Sequence, residues 1–270
     1  MKVVLYINQD KDFALDAGNK LISSLNENDI SFSYIDKIEG DISEYCAILV
    51  VGGDGTMLNV AKFATENGLP VMGINAGKLG FLSEFEVFEI DNAVQLLKNN
   101  QLKIDSRITM RVLYNGQSFI ALNDTVVQRL YKEGVNGLIV TADVYIDKSR
   151  VDLISGDGVI ISTPTGSTAY SLSAGGPVLA PGISVFSITP ISAHSLHNRP
   201  VIYSADSKCD CSLSSGTAGL FIDGKYISTI SKGETITIEK NDKPMLFLRK
   251  TSSNFYGRLI QKLNNKSIRR

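Results

Sequence analysis

One stretch decides the fold of the first part of this chain: Cys46-Ala47-Ile48-Leu49-Val50-Val51-Gly52-Gly53-Asp54-Gly55-Thr56-Met57-Leu58. An apolar, β-branched run leads directly into three glycines, and an amphipathic segment begins near Thr56. This order predicts a buried strand, a tight turn and then the N-terminus of a helix. Glycines let the main chain approach a bulky anion, and the first turn of a helix presents unpaired N–H groups to it. The loop is therefore predicted to bind phosphate.

A single carboxylate, Asp54, stands in the middle of this loop. Phosphate and carboxylate repel each other, so Asp54 does not suit phosphate binding. It is better placed to accept a proton from a hydroxyl group or to hold Mg²⁺. The structural alternative is an aspartate that stabilises a tight turn by bonding its own backbone. Together, loop and carboxylate suggest phosphoryl transfer to an alcohol.

Composition narrows the class of protein. The chain has 270 residues, of which 43% are hydrophobic and 20% charged, so it can bury a sizeable core. A net charge of −1 argues against nucleic acid as a partner, and no window approaches the length of a membrane span. Three cysteines without a CxxC pair argue against disulfides and structural zinc, and indicate a cytoplasmic protein. We expect Cys46 in a core strand, and the thiols of Cys209 and Cys211 on opposite faces of another.

The first hundred residues alternate between strand and helix patterns. Strands are predicted at 2–7, 31–35, 47–51 and 70–74, and helices at 12–25, 56–66 and 88–99. Such alternation predicts an α/β domain over residues 1–100, with a parallel sheet covered by helices. Ligands of these sheets bind beyond the carboxyl ends of the strands, where Asp54 and Asn75 follow their strands directly.

The pattern changes after about residue 100. Segments 107–114 and 118–127 predict a hairpin around Asn115-Gly116. Further strands are predicted at 138–146, 158–162, 185–189, 209–214, 219–222, 235–239 and 245–249. We therefore expect a β-rich domain over residues 101–250. A closing helix and tail, residues 251–270, could dock back on the first domain.

A second glycine-rich stretch runs from Ser155-Gly156-Asp157 to Gly175-Gly176-Pro177. It crowds hydroxyl groups and glycines behind an apolar run, and it offers Asp157 as an acceptor and Tyr170 as a stacking ring. The alternative is a solvated surface loop. The absence of charged residues from Val159 to Pro177 makes such a loop unusual.

These segments together resemble the NAD kinase family. The motifs that carry the resemblance are Gly52-Gly53-Asp54-Gly55, Asn123-Asp124, Asp157-Gly158 with 162–170, and Thr189-Pro190-Ile191 with His194-Ser195-Leu196 and Arg199-Pro200. The stretch 73–82 is also similar to the family. The first motif is shared with lipid kinases and phosphofructokinases, whereas its combination with 162–170 is highly specific.

The resemblance implies phosphorylation by ATP of the 2′-hydroxyl of the adenosine ribose of NAD, giving NADP and ADP, in a cleft between the two domains. Asp54 would be the proton acceptor, and the triphosphate would bind at Gly52, Gly53, Gly55 and Lys62. NAD would contact Gly55, Asn75, Asn123, Asp124, Asp157, Thr165, Thr168, Ala169, Tyr170, Ser173 and Asp223. The β-rich domain would bind NAD and build a homodimer or homotetramer. Mg²⁺ or another divalent cation would enter with ATP, and no residue is assigned as its ligand.

Two positions depart from the family pattern. Asn123-Asp124 stands where the family commonly has Asn-Glu, and Ser155 stands where it often has an arginine. Asp223 has two readings of equal weight, as a site residue and as the turn of a hairpin around Asp223-Gly224.

Other functions stay open at this point. One is a different Gly-Gly-Asp-Gly kinase that acts on a lipid or a sugar phosphate. Another is a dinucleotide sensor without catalysis, although a pure binder has no need of Asp54 beside phosphates. ATP against polyphosphate as donor, and NAD against NADH as acceptor, also stay open.

Overall fold

A computed structural model describes residues 1–38, 41–77, 80–130, 139–195 and 197–267 of the chain, with side chains up to residue 262. Contacts divide the chain into two compact units. The first unit combines Met1–Ser106 with Met245–Arg270, and the second is the continuous segment Arg107–Pro244.

The elements are numbered in chain order. The helices are α1 Asp12–Glu27, α2 Asp54–Asn67, α3 Ile90–Lys98, α4 Tyr170–Ser173 and α5 Phe255–Ser267. The strands are β1 Lys2–Ile7, β2 Ser31–Tyr34, β3 Ala47–Gly52, β4 Val71–Asn75, β5 Phe85–Glu86, β6 Lys103–Arg107, β7 Met110–Tyr114, β8 Gln117–Ala121, β9 Asp124–Arg129, β10 Val140–Ile146, β11 Ser149–Gly156, β12 Gly158–Ser162, β13 Val185–Ile191, β14 Val201–Ser204, β15 Cys209–Ser215, β16 Thr217–Ile222, β17 Lys225–Ser231, β18 Thr235–Lys240 and β19 Met245–Arg249. Short 3₁₀ turns lie at Ile35–Lys37, Ile42–Glu44, Val87–Glu89 and Gly166–Thr168.

The first unit is built on one sheet with the strand order β2-β1-β3-β4-β19-β6, and β5 also pairs with β4. The pairings of β1 with β2 and β3, and of β4 with β3, β5 and β19, are all parallel. Every residue of β3 and β4 is buried, which explains why these strands are continuous apolar runs. The prediction of an α/β class with a parallel sheet is confirmed.

Strand β19 is where the structure departs from the predicted boundaries. The sequence prediction assigned residues 245–249 to the β-rich domain, but β19 pairs in parallel with β4, Phe247 opposite Val71. The structure also divides the units between Ser106 and Arg107 instead of at residue 100. A short apolar run can occupy either kind of sheet, so its sequence does not identify its neighbour.

The second unit consists of two six-stranded antiparallel sheets. One has the order β11-β10-β15-β18-β7-β8, and the other β14-β13-β12-β9-β16-β17. Side chains of both sheets share one buried core, for example Val112 and Ile238 of the first with Val127 and Ile161 of the second. The predicted β-rich class is confirmed.

The chain crosses from one of these sheets to the other between β8 and β9. The hairpin at Asn115-Gly116 forms as predicted, with φ values of 48° and 72° that suit a two-residue turn. The single strand predicted over 118–127 is wrong, because β8 ends at Ala121 in one sheet and β9 begins at Asp124 in the other. The crossing leaves the Leu122-Asn123 segment between two sheets.

The cysteines are free, but two expectations about them were wrong. Cys209 and Cys211 are both buried in the same core, because residues two apart on a strand lie on the same face. Cys46 is exposed and precedes β3 instead of lying inside it. Among the described residues, no helix has both the length and the apolar character needed to cross a membrane.

Candidate active site

The predicted phosphate loop joins β3 to α2. Strand β3 ends at Gly52, and α2 begins at Asp54, two residues before its predicted start. The N–H groups of Thr56 and Met57 donate to the Gly53 carbonyl at 3.0 and 3.2 Å, closing the first helical turn. A Cβ added to Gly53 or Gly55 would meet nothing within 4 Å. The first turn of α2 therefore has open space beside it, as anion binding requires.

The carboxylate of Asp54 is bonded to a different part of the first unit. Its Oδ2 accepts the N–H of Phe81 at 2.9 Å and its Oδ1 accepts that of Leu82 at 3.0 Å. The ammonium of Lys262 in α5 lies 3.7 Å from Oδ2. These bonds differ from the turn-stabilising alternative, in which the carboxylate would bond its own backbone. They hold the carboxylate in one orientation while its side chain stays 35% exposed.

Gly80 makes this orientation possible. A Cβ added there would lie 1.9 Å from Asp54 Oδ1 and 2.7 Å from its carboxyl carbon. No side chain can share that space with the carboxylate. The sequence showed Gly80 only as part of the family-like stretch 73–82, of which Lys78 and Leu79 lie outside the described residues.

Asn75 lies next to the loop, because β4 pairs with β3 and Asn75 is opposite Gly52. Its Nδ2 donates to the Gly77 carbonyl at 3.1 Å. Its Oδ1 is buried without a hydrogen-bond partner among the described residues. A buried acceptor of this kind is costly unless a ligand completes it, which suits a substrate hydroxyl.

Two more polar residues belong to this part of the first unit. Asn8, which the sequence did not single out, donates from Nδ2 to Thr56 Oγ1 at 3.2 Å and so ties β1 to the start of α2. Lys62, predicted to contact ATP, is 65% exposed and lies 3.8 Å from Glu66 one turn further along α2.

In the second unit, Asp223 organises the Asn123-Asp124 motif. Its Oδ2 accepts the N–H of Leu122 at 2.8 Å, and its Oδ1 accepts those of Asn123 and Asp124 at 2.7 and 3.1 Å. Asp223 also forms the predicted hairpin turn with Gly224, with φ values of 48° and 78°. The two readings are thus compatible, since the turn aims the carboxylate at the chain crossing between β8 and β9.

Most hydroxyl groups of the second glycine-rich stretch are used internally. Thr163 Oγ1 donates to the Leu122 carbonyl at 2.5 Å, and Ser167 Oγ donates to the Pro164 carbonyl at 2.7 Å. Gly166 packs directly on Asn123, since a Cβ there would lie 2.0 Å from the Asn123 carbonyl oxygen. The stretch therefore buttresses the Asn123-Asp124 motif more than it offers donors to solvent.

The predicted NAD-contacting residues that stay accessible come directly after this internally bonded segment in the chain. Thr168 and Ala169 are partly buried, and Tyr170 and Ser173 are exposed at the two ends of the short helix α4. Thr165 is buried, and its Oγ1 accepts a bond from Arg107 Nη1 at 3.4 Å. Only the accessible residues present groups that a ring or a hydroxyl-bearing ligand can reach without rearrangement.

Asp157 lies between β11 and β12 and forms an ion pair that the sequence did not reveal. Arg129 Nε, at the end of β9, lies 3.0 Å from Asp157 Oδ1, and the Arg129 N–H donates to the Asp157 carbonyl. Ser155, at the position where the family often has an arginine, bonds Thr141 through its hydroxyl at 3.0 Å. Arg129 thus supplies a cation beside Asp157 from the neighbouring strand.

No group of three or more His, Cys, Asp or Glu side chains that could hold a metal ion occurs in the described part of the chain. His194 is exposed and its N–H donates to the Ser155 carbonyl at 2.9 Å, while Leu196 of the same motif lies outside the described residues.

Comparison with known proteins identifies the family. The profile of the ATP-NAD kinase N-terminal domain matches residues 8–101, and that of the ATP-NAD kinase C-terminal domain matches residues 123–250. An NAD kinase of Ruminiclostridium cellulolyticum is 36% identical over 283 aligned positions, which cover 97% of each chain. This chain belongs to the ATP-NAD kinase family. A bifunctional NADP phosphatase/NAD kinase of Methanocaldococcus jannaschii is 33% identical over 98% of this chain and 48% of its own.

Solved structures agree with the family membership. Yeast NADH kinase complexed with NADH superposes with a TM-score of 0.85 at 25% identity, covering 98% of this chain and 87% of its own. An Archaeoglobus fulgidus NAD kinase in complex with ATP superposes with a TM-score of 0.77 at 23% identity, covering 97% and 98%, and so shares the fold. Both predicted domains are therefore those of an NAD kinase, and the protein is a kinase.

The carboxyl of Asp124 is buried close to the carboxylate of Asp223. Asp124 is only 5% exposed, and burial together with the nearby charge of Asp223 raises the pKa of its carboxyl to about 7. Burial also raises the pKa of Asp223, although three backbone N–H groups oppose that shift. Protonation and ionisation of Asp124 are therefore closely balanced at neutral pH.

We predict that Asp124→Asn stabilises the ligand-free protein increasingly as pH rises. A carboxyl whose pKa is raised on folding contributes stability at pH values below its unfolded pKa, and loses it as pH rises through the folded value. The gain of Asp124→Asn over the wild type should therefore grow from about pH 4 to pH 7, by on the order of 2–4 kcal/mol. Urea unfolding at a series of pH values measures it.

Asp147→Asn is the matched control. Asp147 is an exposed turn residue, and bonds from the Ser207 hydroxyl and the Lys208 N–H lower the pKa of its carboxyl. Asp147→Asn should therefore not become more stable relative to the wild type as pH rises. A constant difference between Asp124→Asn and the wild type from pH 4 to pH 8 would contradict the assignment.

Proposed function

We propose that this protein transfers the γ-phosphoryl group of ATP to the 2′-hydroxyl of the adenosine ribose of NAD, giving NADP and ADP. One observation carries the proposal: Asp54 is the first residue of α2, between two glycines whose Cβ positions are open. This combination joins an anion-binding helix terminus to a proton acceptor. Membership of the ATP-NAD kinase family supports the same reaction.

Asp54 has the role of orienting the ribose hydroxyl and taking its proton. Phosphoryl transfer passes through a loose transition state in most analyses, so positioning matters more than early proton removal. The N–H groups of Phe81 and Leu82 support this role, because they fix the carboxylate before substrate arrives. Gly52 and Gly53, together with Gly55, let the triphosphate approach the first turn of α2, and Lys62 adds positive charge further along the helix.

The proposed NAD contacts include exposed groups, such as those of Tyr170 and Ser173, and the buried side chains of Asn75, Asp124 and Thr165. They are Gly55, Asn75, Asn123, Asp124, Asp157, Thr165, Thr168, Ala169, Tyr170 and Ser173. Asp223 acts by positioning, since its carboxylate is bonded to the N–H groups of the Asn123-Asp124 segment.

The described residues suit a divalent cation only when nucleotide is bound, because the phosphates would then supply most of its oxygen ligands. Mg²⁺ needs one or two carboxylates when substrate phosphates supply its other oxygens. Asp54 is the carboxylate at the loop, and the described residues offer no larger cluster. Bound with ATP, the cation would neutralise phosphate charge, and Asp54 would offer it a carboxylate oxygen at the loop.

A coupled assay tests the proposed reaction. The protein is incubated with Mg²⁺ and each pairing of ATP or polyphosphate with NAD or NADH, and the phosphorylated product is measured with an NADP-dependent dehydrogenase. We expect NADP from ATP and NAD. Intact NAD binding without NADP would indicate a sensor, and ATP consumption only with lipids or sugar phosphates would indicate another Gly-Gly-Asp-Gly kinase.

We also propose a cytoplasmic homodimer or homotetramer assembled through the second unit. Its outer strands β11, β14 and β17 expose Leu153, Ile202 and Tyr226, which are 43%, 49% and 54% accessible. Apolar side chains on exposed strand edges suit self-association. Sedimentation at several concentrations measures the assembly, and a monomer throughout would contradict it.

A further inference from the structure

Helix α5 is firmly attached to the segment that holds Asp54. The ring of Phe255 lies 6.4 Å from that of Phe81, and Arg258 Nη1 donates to the Ser83 carbonyl at 2.6 Å. Arg258 also bonds the buried carboxylate of Glu84, which pairs with Arg249 at 3.2 Å. These contacts fix α5 against the segment whose backbone binds Asp54.

This attachment brings Lys262 to the carboxylate of Asp54. The Lys262 ammonium lies 4.1 Å from the centre of the Phe81 ring and 3.7 Å from Asp54 Oδ2. The same oxygen accepts the Phe81 N–H. The Lys262 side chain is 23% exposed, so its charge is partly shielded from solvent. Lys62, in contrast, is largely exposed and lies beside Glu66.

A lysine beside this loop would reduce the repulsion between Asp54 and a bound triphosphate. A carboxylate next to a bound triphosphate repels it, and the repulsion is strong where water is partly excluded. An ammonium within 4 Å of the carboxylate offsets that repulsion. Lysine is suited to this, because it is a compact charge on a flexible stem that can turn between two anions.

We infer that Lys262 is a catalytic residue of the phosphoryl transfer, an inference that rests on the proposed function. Without nucleotide its ammonium balances Asp54, and during transfer it contacts the γ-phosphoryl oxygens by rotation about its side-chain bonds. In that step the bond from the ribose O2′ to phosphorus forms, and the bond from phosphorus to the β,γ-bridging oxygen breaks. ADP leaves, the hydroxyl proton passes to Asp54, and Lys262 keeps all its protons.

Three substitutions at position 262 and one control test the inference. Lys262→Met keeps the apolar stem over Phe81 and removes the charge, and Lys262→Arg keeps the charge. Lys262→Ala opens space for an added amine. Gln261→Met is the control, because Gln261 is the exposed neighbour of Lys262 on α5. For each protein, kcat, the KM values for ATP and NAD, and the thermal unfolding midpoint are measured.

We expect Lys262→Met to lose about 10²–10³-fold in kcat, the usual cost of removing a charge-stabilising donor. Lys262→Arg should keep more activity than Lys262→Met, and ethylammonium should restore part of the activity of Lys262→Ala. Gln261→Met should match the wild type. The KM for NAD and the unfolding midpoints should stay close to wild-type values.

Three results would overturn the inference. One is a wild-type kcat for Lys262→Met. Another is an equal loss in Lys262→Met and Lys262→Arg without rescue by amine, which would indicate that Lys262 only holds α5 in place. The third is a wild type that forms no NADP, which would overturn the proposed function as well, whereas the first two leave that function standing.

Discussion

Replacing Asp54 by asparagine is expected to lower kcat by about 10²–10⁴-fold, the usual range for loss of a general base. An amide cannot accept the proton of the ribose hydroxyl. It also keeps only one oxygen for the N–H groups of Phe81 and Leu82, which now bind both carboxylate oxygens. NAD should still bind with little change in Kd. Steady-state kinetics, together with NAD titration followed by calorimetry, separates the two effects.

Asp12→Asn is the matched control for this prediction. Asp12 is the first residue of α1, as Asp54 is of α2, and it is exposed. Both substitutions remove a negative charge from a helix N-terminus, which costs some helix stability in either case. Only the Asp54 variant should lose turnover. An unchanged kcat in Asp54→Asn would rule out its role as proton acceptor.

Gly80→Ala should cause a comparable loss without touching any reacting group. Its Cβ would lie 1.9 Å from Asp54 Oδ1, so either the carboxylate or residues 80–82 must move. A displacement of about 1 Å in a catalytic group can cost about 10²-fold in rate. We expect kcat to fall by at least that factor, with the protein still folded. Kinetics and circular dichroism check the two parts of the expectation.

Gly182→Ala serves as the control for added bulk. Gly182 is exposed, and a Cβ there would meet nothing within 4 Å. It should therefore behave as wild type. Full activity in Gly80→Ala would mean that the working enzyme holds the Asp54 carboxylate elsewhere, and the bonds to Phe81 and Leu82 would then have no part in catalysis.

The fold could be predicted where a few neighbouring residues determine both the type of an element and the element it pairs with. Alternating strands and helices predicted the parallel sheet, and Asn115-Gly116 predicted its hairpin, because both signals act over a few residues. The break at Leu122-Asn123 was missed, although the polar pair Asn123-Asp124 interrupts the apolar run there, because two polar residues do not by themselves show that a chain changes sheets. It depends on bonds from Asp223, about a hundred residues further along the chain.

The site was predictable in composition more than in geometry. The glycines around Asp54 predicted an anion-binding turn, because residues without side chains let the main chain come close to an anion, and this effect is local in sequence. The partners of its carboxylate, Phe81, Leu82 and Lys262, could not be read from the chain, because tertiary contacts alone bring them together. Likewise, nothing in the sequence near Arg129 indicates its ion pair with Asp157.

The position of β19 has a consequence for how the protein is made. A ribosome delivers β4 first and then the whole second unit before β19, whose Phe247 pairs with Val71. The second unit is continuous and can fold as it emerges, whereas the first keeps an unfinished sheet edge that invites wrong pairing. Closing so long a loop is entropically slow. Because α5 follows β19, Lys262 reaches Asp54 only after this closure, so nascent chains should stay inactive until α5 has left the ribosome.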